Sequence, residues 1–407
     1  MVPIVLFLVS LAATASFLSW LYILLHPARP WDFQPVGDDG PLPELPAGSA
    51  FPTVCIVVPA RNEAATLPRT LPALLSQDYP GSFRVILIDD RSADGTGDAA
   101  RKLAGELNAA ERLTVLSGKP LPQEGAGGWT GKVWALDQGA KEAASGQAAF
   151  VLLTDADILH KPQSLRRLVA ESMNAELGLN SRMARLRCES PAERLLIPAF
   201  VFFFNLLYPM RRINDANDPL AGAAGGCVLL SAEALRRLGG GFESIRGEII
   251  DDVNLARQVK KTGLPIRLAL SRDEVLSLRD YPRLADIWKM VRRTAFTELK
   301  YSWVRLSGSL LGLGLMFIVP LFAMLAGALA FALVPDAQTR ALAIWAFGKG
   351  LLSLLVMRHV YRPAVRFFKL PGRCAFTLPV AGVLYGLMTL DSALRHARKA
   401  RTEWREI

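Results

Sequence analysis

Phe150-Val-Leu-Leu-Thr-Asp-Ala-Asp-Ile158 is an apolar run that ends in two carboxylates, Asp155 and Asp157, with one small residue, Ala156, between them. Its composition is that of a buried strand. Side chains alternate across a strand, so residues i and i+2 at its end point the same way. Two converging carboxylates can hold a hard divalent cation, Mg²⁺ or Mn²⁺, which in turn holds phosphate oxygens. The bland alternative is a solvated strand end, and Asp-x-Asp alone does not separate the two. The segments on either side of it do.

Upstream, short apolar runs alternate with helical stretches. Residues 54–58, 84–88, 113–116 and 149–153 read as strands, and 64–77, 97–107 and 133–144 as helices. This rhythm predicts a mainly parallel α/β sheet with ligand chemistry at the carboxyl ends of its strands.

Polar groups follow those strands. The first runs into Val58-Pro-Ala-Arg-Asn-Glu63 and the second into Ile88-Asp-Asp-Arg-Ser-Ala-Asp-Gly-Thr96. An acid at Asp89 can accept hydrogen bonds from a ribose hydroxyl or a uracil N–H. Both segments also read as local structure, with Asn62 capping a helix, Glu63 favoured by its dipole, and Asp94-Gly-Thr96 forming a turn. Gly127-Gly-Trp-Thr-Gly-Lys132 is a Gly-rich loop with one cation before a helix, which suggests phosphate contact. It is not a Walker A loop, since the spacing fails and no Ser or Thr follows the lysine. Asp251 and Asp252 open a helical run through Lys261 and, taken locally, are ordinary N-terminal helix acids.

The chain has 407 residues, 51% of them hydrophobic, which is enough for a full domain plus membrane segments. Residues 2–25 are apolar and uncharged, long enough to cross a bilayer of roughly 30 Å. No Lys or Arg precedes that run, and bulky Trp20, Leu21, Tyr22 and Ile23 close it, so an uncleaved anchor is expected instead of a signal peptide. After Arg305 the chain turns apolar again. Residues 307–334 form one expected span, which Pro320 can kink, and 341–357 a second, shorter one. A third full crossing at 374–390 would place the basic tail 395–405 outside, so a re-entrant or interfacial hairpin around Pro379 is expected. Residues 195–208 are short for a span and read as an interfacial or core helix. The expected organisation is an anchor over 1–26, a Pro-rich linker over 27–52, an α/β domain with interfacial helices over 53–305, and a membrane region with a basic tail over 306–407.

The net charge is +10, but much of the basic excess flanks apolar stretches, at Arg292, Arg293, Lys300 and Arg305 and again at Arg358, Arg362, Arg366 and Lys369. That placement suits the cytoplasmic face of a membrane, and no nucleic-acid partner is expected. The four cysteines are scattered without a CxxC pair and read as reduced thiols. The four histidines are equally dispersed, so a His-based metal site or a Ser-His-Asp triad has little support.

Six motifs in order give a resemblance. Pro59-Ala-Arg-Asn-Glu63, Asp89-Asp-Arg-Ser-Ala-Asp-Gly-Thr96, Gly131-Lys-Val-Trp-Ala-Leu136, Asp155-Ala-Asp157, Gly225-Gly-Cys227 and Asp251-Asp-Val-Asn-Leu-Ala-Arg257 are ordered and spaced as in the family 2 inverting glycosyltransferases of the GT-A fold. The whole pattern, anchor and apolar C-terminus included, looks most like the bacterial glycosyltransferases associated with hopanoid biosynthesis, relatives of ceramide glucosyltransferase. The resemblance implies a Rossmann-like nucleotide-diphospho-sugar transferase domain in the bacterial inner membrane, facing the cytoplasm. Its donor would be a nucleotide sugar, UDP-linked, and its acceptor a lipid. Pro59, Ala60, Arg61 and Glu63 would line the nucleotide pocket, and Asp89 with Asp90 would contact uracil or ribose. Lys132 would meet phosphate. Asp155, Ala156 and Asp157 would engage the ribose and the metal-bound diphosphate, with Mg²⁺ or Mn²⁺ on Asp157 and Asp155. Gly225, Gly226 and Cys227 would lie at the sugar or acceptor. Asp252 would be the general base, with Asp251 the alternative, because the family usually has Glu-Asp where this chain has Asp-Asp.

Processive relatives carry Gln-x-x-Arg-Trp downstream. Here the segment is Trp288-Lys-Met-Val-Arg-Arg-Thr294, with Lys289 for Gln and Arg293 where Trp would be. Arg292, aided by Arg293, would contact the diphosphate, or else both would meet lipid headgroups. Two alternatives stand beside the lipid glycosyltransferase. A processive polysaccharide synthase calls for more spans and the intact motif. A non-catalytic nucleotide-sugar-binding membrane protein calls for loss of the acids that are present.

Overall fold

The computed structural model describes residues 2–122 and 128–397. The chain divides into two units. One is α/β and comprises Gln34–Arg187 and Met210–Asp280; the other is helical and comprises residues 2–33, Cys188–Pro209 and 281–397.

The described residues of the α/β unit form nine strands: β1 Val54–Ala60, β2 Phe83–Asp89, β3 Leu113–Ser117, β4 Phe150–Thr154, β5 Ile158–His160, β6 Leu179–Met183, β7 Cys227–Ser231, β8 Ile266–Leu270 and β9 Val275–Ser277. Seven form one sheet in the order β3-β2-β1-β4-β7-β6-β8, and β5 with β9 makes a short second sheet. Strands β1 to β4 pair in parallel, as the βα rhythm predicts, and β7 runs antiparallel to both of its neighbours. Val54–Val58 and Val85–Ile88 are at most 1% exposed. Helices covering both faces account for such unbroken apolar runs. Each buried Val, Leu or Ile contributes about 1.5–3 kcal/mol.

The linker from Gln34 belongs to this unit. The Asp38 carboxylate accepts from the Ser271 hydroxyl and from the N–H groups of Arg272, Asp273 and Glu274, at 2.7–2.9 Å. Such a clamp fixes this part of the Pro-rich linker against the α/β unit. The helix Pro191–Leu207 and residues 281–305, placed by sequence with the α/β domain, group instead with the helical unit. Glu193 Oε1 accepts the Tyr281 N–H at 2.8 Å, and the Tyr385 hydroxyl donates to the Leu196 carbonyl at 3.0 Å.

Among the described residues of the helical unit three helices are long and apolar enough to cross a membrane: Val2–Leu25, Trp303–Leu333 and Ala337–Phe367. The last is longer than the expected 341–357, because Arg358, Arg362 and Arg366 continue it without a break. A π-helical turn, Gly314–Ile318, precedes the segment Val319–Leu333, which has Pro320 in its first turn. The hairpin around Pro379 does not form. Leu378–Ala397 is a single helix with Pro379 in its first turn, where a missing N–H leaves no intrahelical bond unmade. The tail beyond 397 lies outside the described residues. All four cysteines are free thiols.

Candidate active site

The parallel strands β1, β2 and β4 deliver their following loops to one edge of the sheet. Strand β7 runs the other way and starts at Cys227, paired with Thr154 at the end of β4. The Gly225-Gly226 turn therefore reaches the same edge from the opposite direction.

Strand alternation does not align the two acids after β4. The strand ends at Thr154, and Asp155-Ala156-Asp157 forms a turn closed by the Ile158 N–H donating to the Asp155 carbonyl at 3.1 Å. The two carboxylates nevertheless act on each other. Burial, then the Asp155 charge, pushes the Asp157 carboxyl up to about 6, with Glu63 adding to the effect and Arg279 and Lys132 opposing it. A like-charge pair of this kind, with oxygen donors only, suits a hard cation. Among the described residues no group of three or more His, Cys, Asp or Glu makes a self-sufficient cage. A cation here would be completed by ligand phosphates and water.

Lys132 stands in the first turn of the helix Gly131–Ser145, whose start is fixed by the Thr130 hydroxyl accepting the Val133 N–H. Of the Gly-rich loop before it, Gly127 lies outside the described residues. The Lys132 ammonium sits 2.8 Å from Asp155 Oδ1 and 3.7 Å from Asp251 Oδ2. Burial works against this charge, but Asp155, Asp251 and Asp252 outweigh it and raise its pKa.

Asp251 and Asp252 open the helix Asp251–Lys261, as the sequence predicts. Asp252 Oδ2 accepts the Gly225 N–H at 2.8 Å, and Oδ1 accepts the Val253 N–H at 2.8 Å. A Cβ on Gly225 would lie 3.2 Å from Lys132 Nζ and 3.4 Å from Asp252 Oδ2, so a side chain there would crowd the lysine and the lysine would have to give by a few tenths of an ångström. Burial, then the neighbouring Asp251 charge, pushes the Asp252 carboxyl up to about 6. Lys132, Asp155, Gly225, Asp251 and Asp252 thus form one cluster, although 120 positions separate Lys132 from Asp252.

The other predicted residues divide. Asp89 is engaged by its own turn: Oδ1 accepts the Ser92 N–H at 2.9 Å and Oδ2 the Gly97 N–H at 3.2 Å. Asp90 is buried and pairs with Arg61 and Arg91, each at 3.5 Å. Pro59 and Ala60 lie within β1, and the Ala60 carbonyl accepts the Asp90 N–H at 2.8 Å. Asn62 does not cap the next helix, which starts at Leu67 with Thr66 before it. With φ of 57°, Asn62 turns its amide oxygen to the Ala93 N–H at 2.8 Å, and the Glu63 N–H donates to Thr96 Oγ1 at 2.9 Å. The loops after β1 and β2 are laced together, and the turn at Asp94-Gly-Thr96 forms as expected. Ala156 and Cys227 are buried, and burial pushes the Cys227 thiol up to about 12. Gly226 packs on Ile158, its carbonyl taking the Thr154 hydroxyl at 2.9 Å. Arg292 and Arg293 lie on the helix Leu284–Glu298 of the helical unit, where Arg292 pairs with Asp391 at 3.4 Å.

Two residues carry no sequence signal. His160 is buried with Nε2 2.8 Å from Thr154 Oγ1, and burial lowers its pKa to about 4, so it supports the turn as a neutral ring. Arg279 follows β9, a three-residue strand too short to show a period.

Known proteins place this arrangement. Residues 55–239 match the family described as Glycosyl transferase family 2. An undecaprenyl-phosphate mannosyltransferase of Micrococcus luteus is 33% identical over 131 residues, 32% of this chain and 48% of that protein. A beta-monoglucosyldiacylglycerol synthase of Synechocystis is 31% identical over 163 residues, 39% of this chain and 29% of that one. The chain thus spans about half the length, or less, of these curated relatives. A mannosyltransferase from Pyrobaculum calidifontis, solved with GDP-Man and Mn²⁺, aligns over 95% of this chain and 99% of its own at 20% identity and a TM-score of 0.52, a likeness of fold. This chain carries a glycosyl transferase family 2 domain built on the GT-A fold.

Proposed function

We propose that the protein is a membrane-bound inverting glycosyltransferase that moves one sugar from a nucleotide sugar, UDP-linked, to a lipid acceptor. The observation that carries this reading is the cluster of Lys132, Asp155, Asp251 and Asp252 at the carboxyl edge of the sheet. The three long apolar helices support a lipid as acceptor, and so do the names of the two relatives. The overall motif pattern supports a hopanoid as that lipid.

In this reading Asp252 takes the proton of the acceptor hydroxyl, with both its oxygens oriented by backbone N–H donors. The acceptor oxygen bonds to the anomeric carbon from the face opposite the leaving group. The bond to the diphosphate oxygen breaks, and the diphosphate departs with the electron pair. Lys132 meets part of the charge that develops there. Asp155 and Asp157 would hold Mg²⁺ or Mn²⁺, which supplies further charge neutralisation on the diphosphate. Arg292 and Arg293 are assigned to the same leaving group by motif position. The domain would face the cytoplasm of a bacterial inner membrane, as the flanking basic residues suggest.

The test is turnover by the full chain in lipid nanodiscs, with Mg²⁺ or Mn²⁺, a panel of nucleotide sugars and membrane lipid, read by mass spectrometry. One hexose-type mass added to a lipid by wild type, and not by Asp252→Asn, is the expected result. A ladder of masses would favour a processive synthase. Nucleotide binding without product under every donor and lipid would favour a binding protein.

A further inference from the structure

We infer that Arg279 is a donor-binding residue of this site, its guanidinium contacting the diphosphate beside Asp155 and Asp157. The inference rests on the nucleotide-sugar reading above. The argument is first one of register. Strands β5 and β9 pair antiparallel with Ile158 opposite Ser277, and the Leu278 N–H donates to the Asp157 carbonyl at 2.9 Å. Arg279 is the next residue along the chain after that hydrogen bond, at the end of β9 that meets the acidic turn. Its backbone is therefore fixed to the acidic turn by a hydrogen bond one residue away.

The second argument is partnership. Among the site's other cations, Lys132 is held between Asp155 and Asp251, and Arg61 is paired with Asp90. Nearby, Arg185 pairs with Asp273 at 3.1 Å and Arg187 with Asp280 at 3.5 Å. Arg279 is exposed and, among the described residues, closes no ion pair. A planar guanidinium offers two parallel donors to phosphate oxygens, which the single-point ammonium of Lys132 cannot do. An acid pair for a cation and an uncommitted arginine alongside it together match a ligand that is itself a polyanion carrying a divalent metal.

The bland reading makes Arg279 a surface counter-charge that merely steadies Asp157. Calorimetry on the full chain in nanodiscs separates the two. Wild type, Arg279→Gln and Arg279→Lys would be titrated with UDP, UMP and uridine, and with GDP and GMP, with and without Mn²⁺. Arg279→Gln is expected to weaken nucleoside diphosphate binding by about 10- to 100-fold. Nucleoside monophosphate binding should change by less than about twofold, and Arg279→Lys should recover part of the loss. Unchanged diphosphate affinity in Arg279→Gln overturns the inference, and so does an equal loss for diphosphate, monophosphate and nucleoside. A rise in nucleotide-free Mn²⁺ affinity with unchanged diphosphate affinity would establish the counter-charge instead. If wild type itself binds no nucleoside diphosphate, the nucleotide-sugar reading falls and takes this inference with it. Wild-type binding that survives in Arg279→Gln sinks this inference alone.

Discussion

Lys132 Nζ lies 2.8 Å from Asp155 Oδ1, and the same ammonium is 3.7 Å from Asp251. One cation therefore joins the acidic turn after β4 to the acids that open the helix Asp251–Lys261. Removing it leaves three carboxylates around an uncompensated gap. Lys132→Met is expected to lower kcat/KM by about 10²–10³-fold, the scale of losing one preorganised charge at a leaving group. Initial rates of lipid glycosylation at subsaturating donor would measure this. Activity within a few-fold of wild type would remove Lys132 from the reaction.

The pH dependence follows from Asp252. A base must be unprotonated, and burial with the Asp251 charge raises the Asp252 carboxyl to about 6. Activity should therefore fall as pH drops through about 6, well above the ordinary carboxylate range. Asp251→Asn removes the like charge and should move this acid limb to lower pH. Lys132→Met removes an opposing cation and should move the limb of its residual activity to higher pH. Profiles of kcat/KM against pH for the three proteins test both signs. A limb that does not move in Asp251→Asn would show that Asp252 is not the titrating group.

The parts of this site that sequence makes legible are those held by local rules. The apolar strands β1, β2 and β4 are continuous enough to read, and the parallel sheet then fixes which edge their trailing polar residues share. Six ordered motifs supply the rest of the cluster. What stays hidden depends on distant pairing. Arg279 is brought to Asp157 by β5 and β9, two strands of three residues from segments more than a hundred positions apart. The Pro379 hairpin fails for a different reason: a proline in a first helical turn and a proline at a bend look alike in sequence. The Asp89 carboxylate, expected to face nucleotide, holds two amides of its own turn, Ser92 and Gly97.

In the helical unit, the Trp20 indole N–H donates to the Met316 carbonyl at 3.0 Å. Pro320, four residues after Met316, has no N–H to offer that carbonyl. Trp20 is fully buried, so water does not replace the bond. Trp20→Phe keeps an aromatic ring against Phe317 but removes the donor, and is expected to destabilise the unit by about 1–3 kcal/mol. Thermal unfolding in detergent would read the loss. In a Pro320→Ala background the penalty should shrink, because residue 320 regains a donor for the same carbonyl. An equal penalty in both backgrounds would mean that the indole contributes by packing alone.

Glycines set how closely the long apolar helices Trp303–Leu333 and Ala337–Phe367 approach. A Cβ on Gly350 would lie 2.5 Å from the Pro320 carbonyl oxygen and 2.8 Å from the Met324 nitrogen, both backbone atoms that cannot swing aside. Reciprocally, a Cβ on Gly327 would lie 2.6 Å from the Ala343 carbonyl oxygen and 2.7 Å from the Phe347 nitrogen. Within a bilayer lipid tails are as apolar as leucine, so helix pairing draws on close packing of this kind. Gly350→Ala must push the helices apart, at an expected loss of about 1–3 kcal/mol. Gly348 on the same helix supplies the control, since its added Cβ would meet no atom within 4 Å. Gly348→Ala should leave stability unchanged or raise it by up to about 1 kcal/mol, through the better helix propensity of alanine. Melting curves for the two variants in one detergent would compare them directly. If both behave alike, helix propensity and not close approach governs this pair, and the two backbones are free to separate by the width of a methyl group.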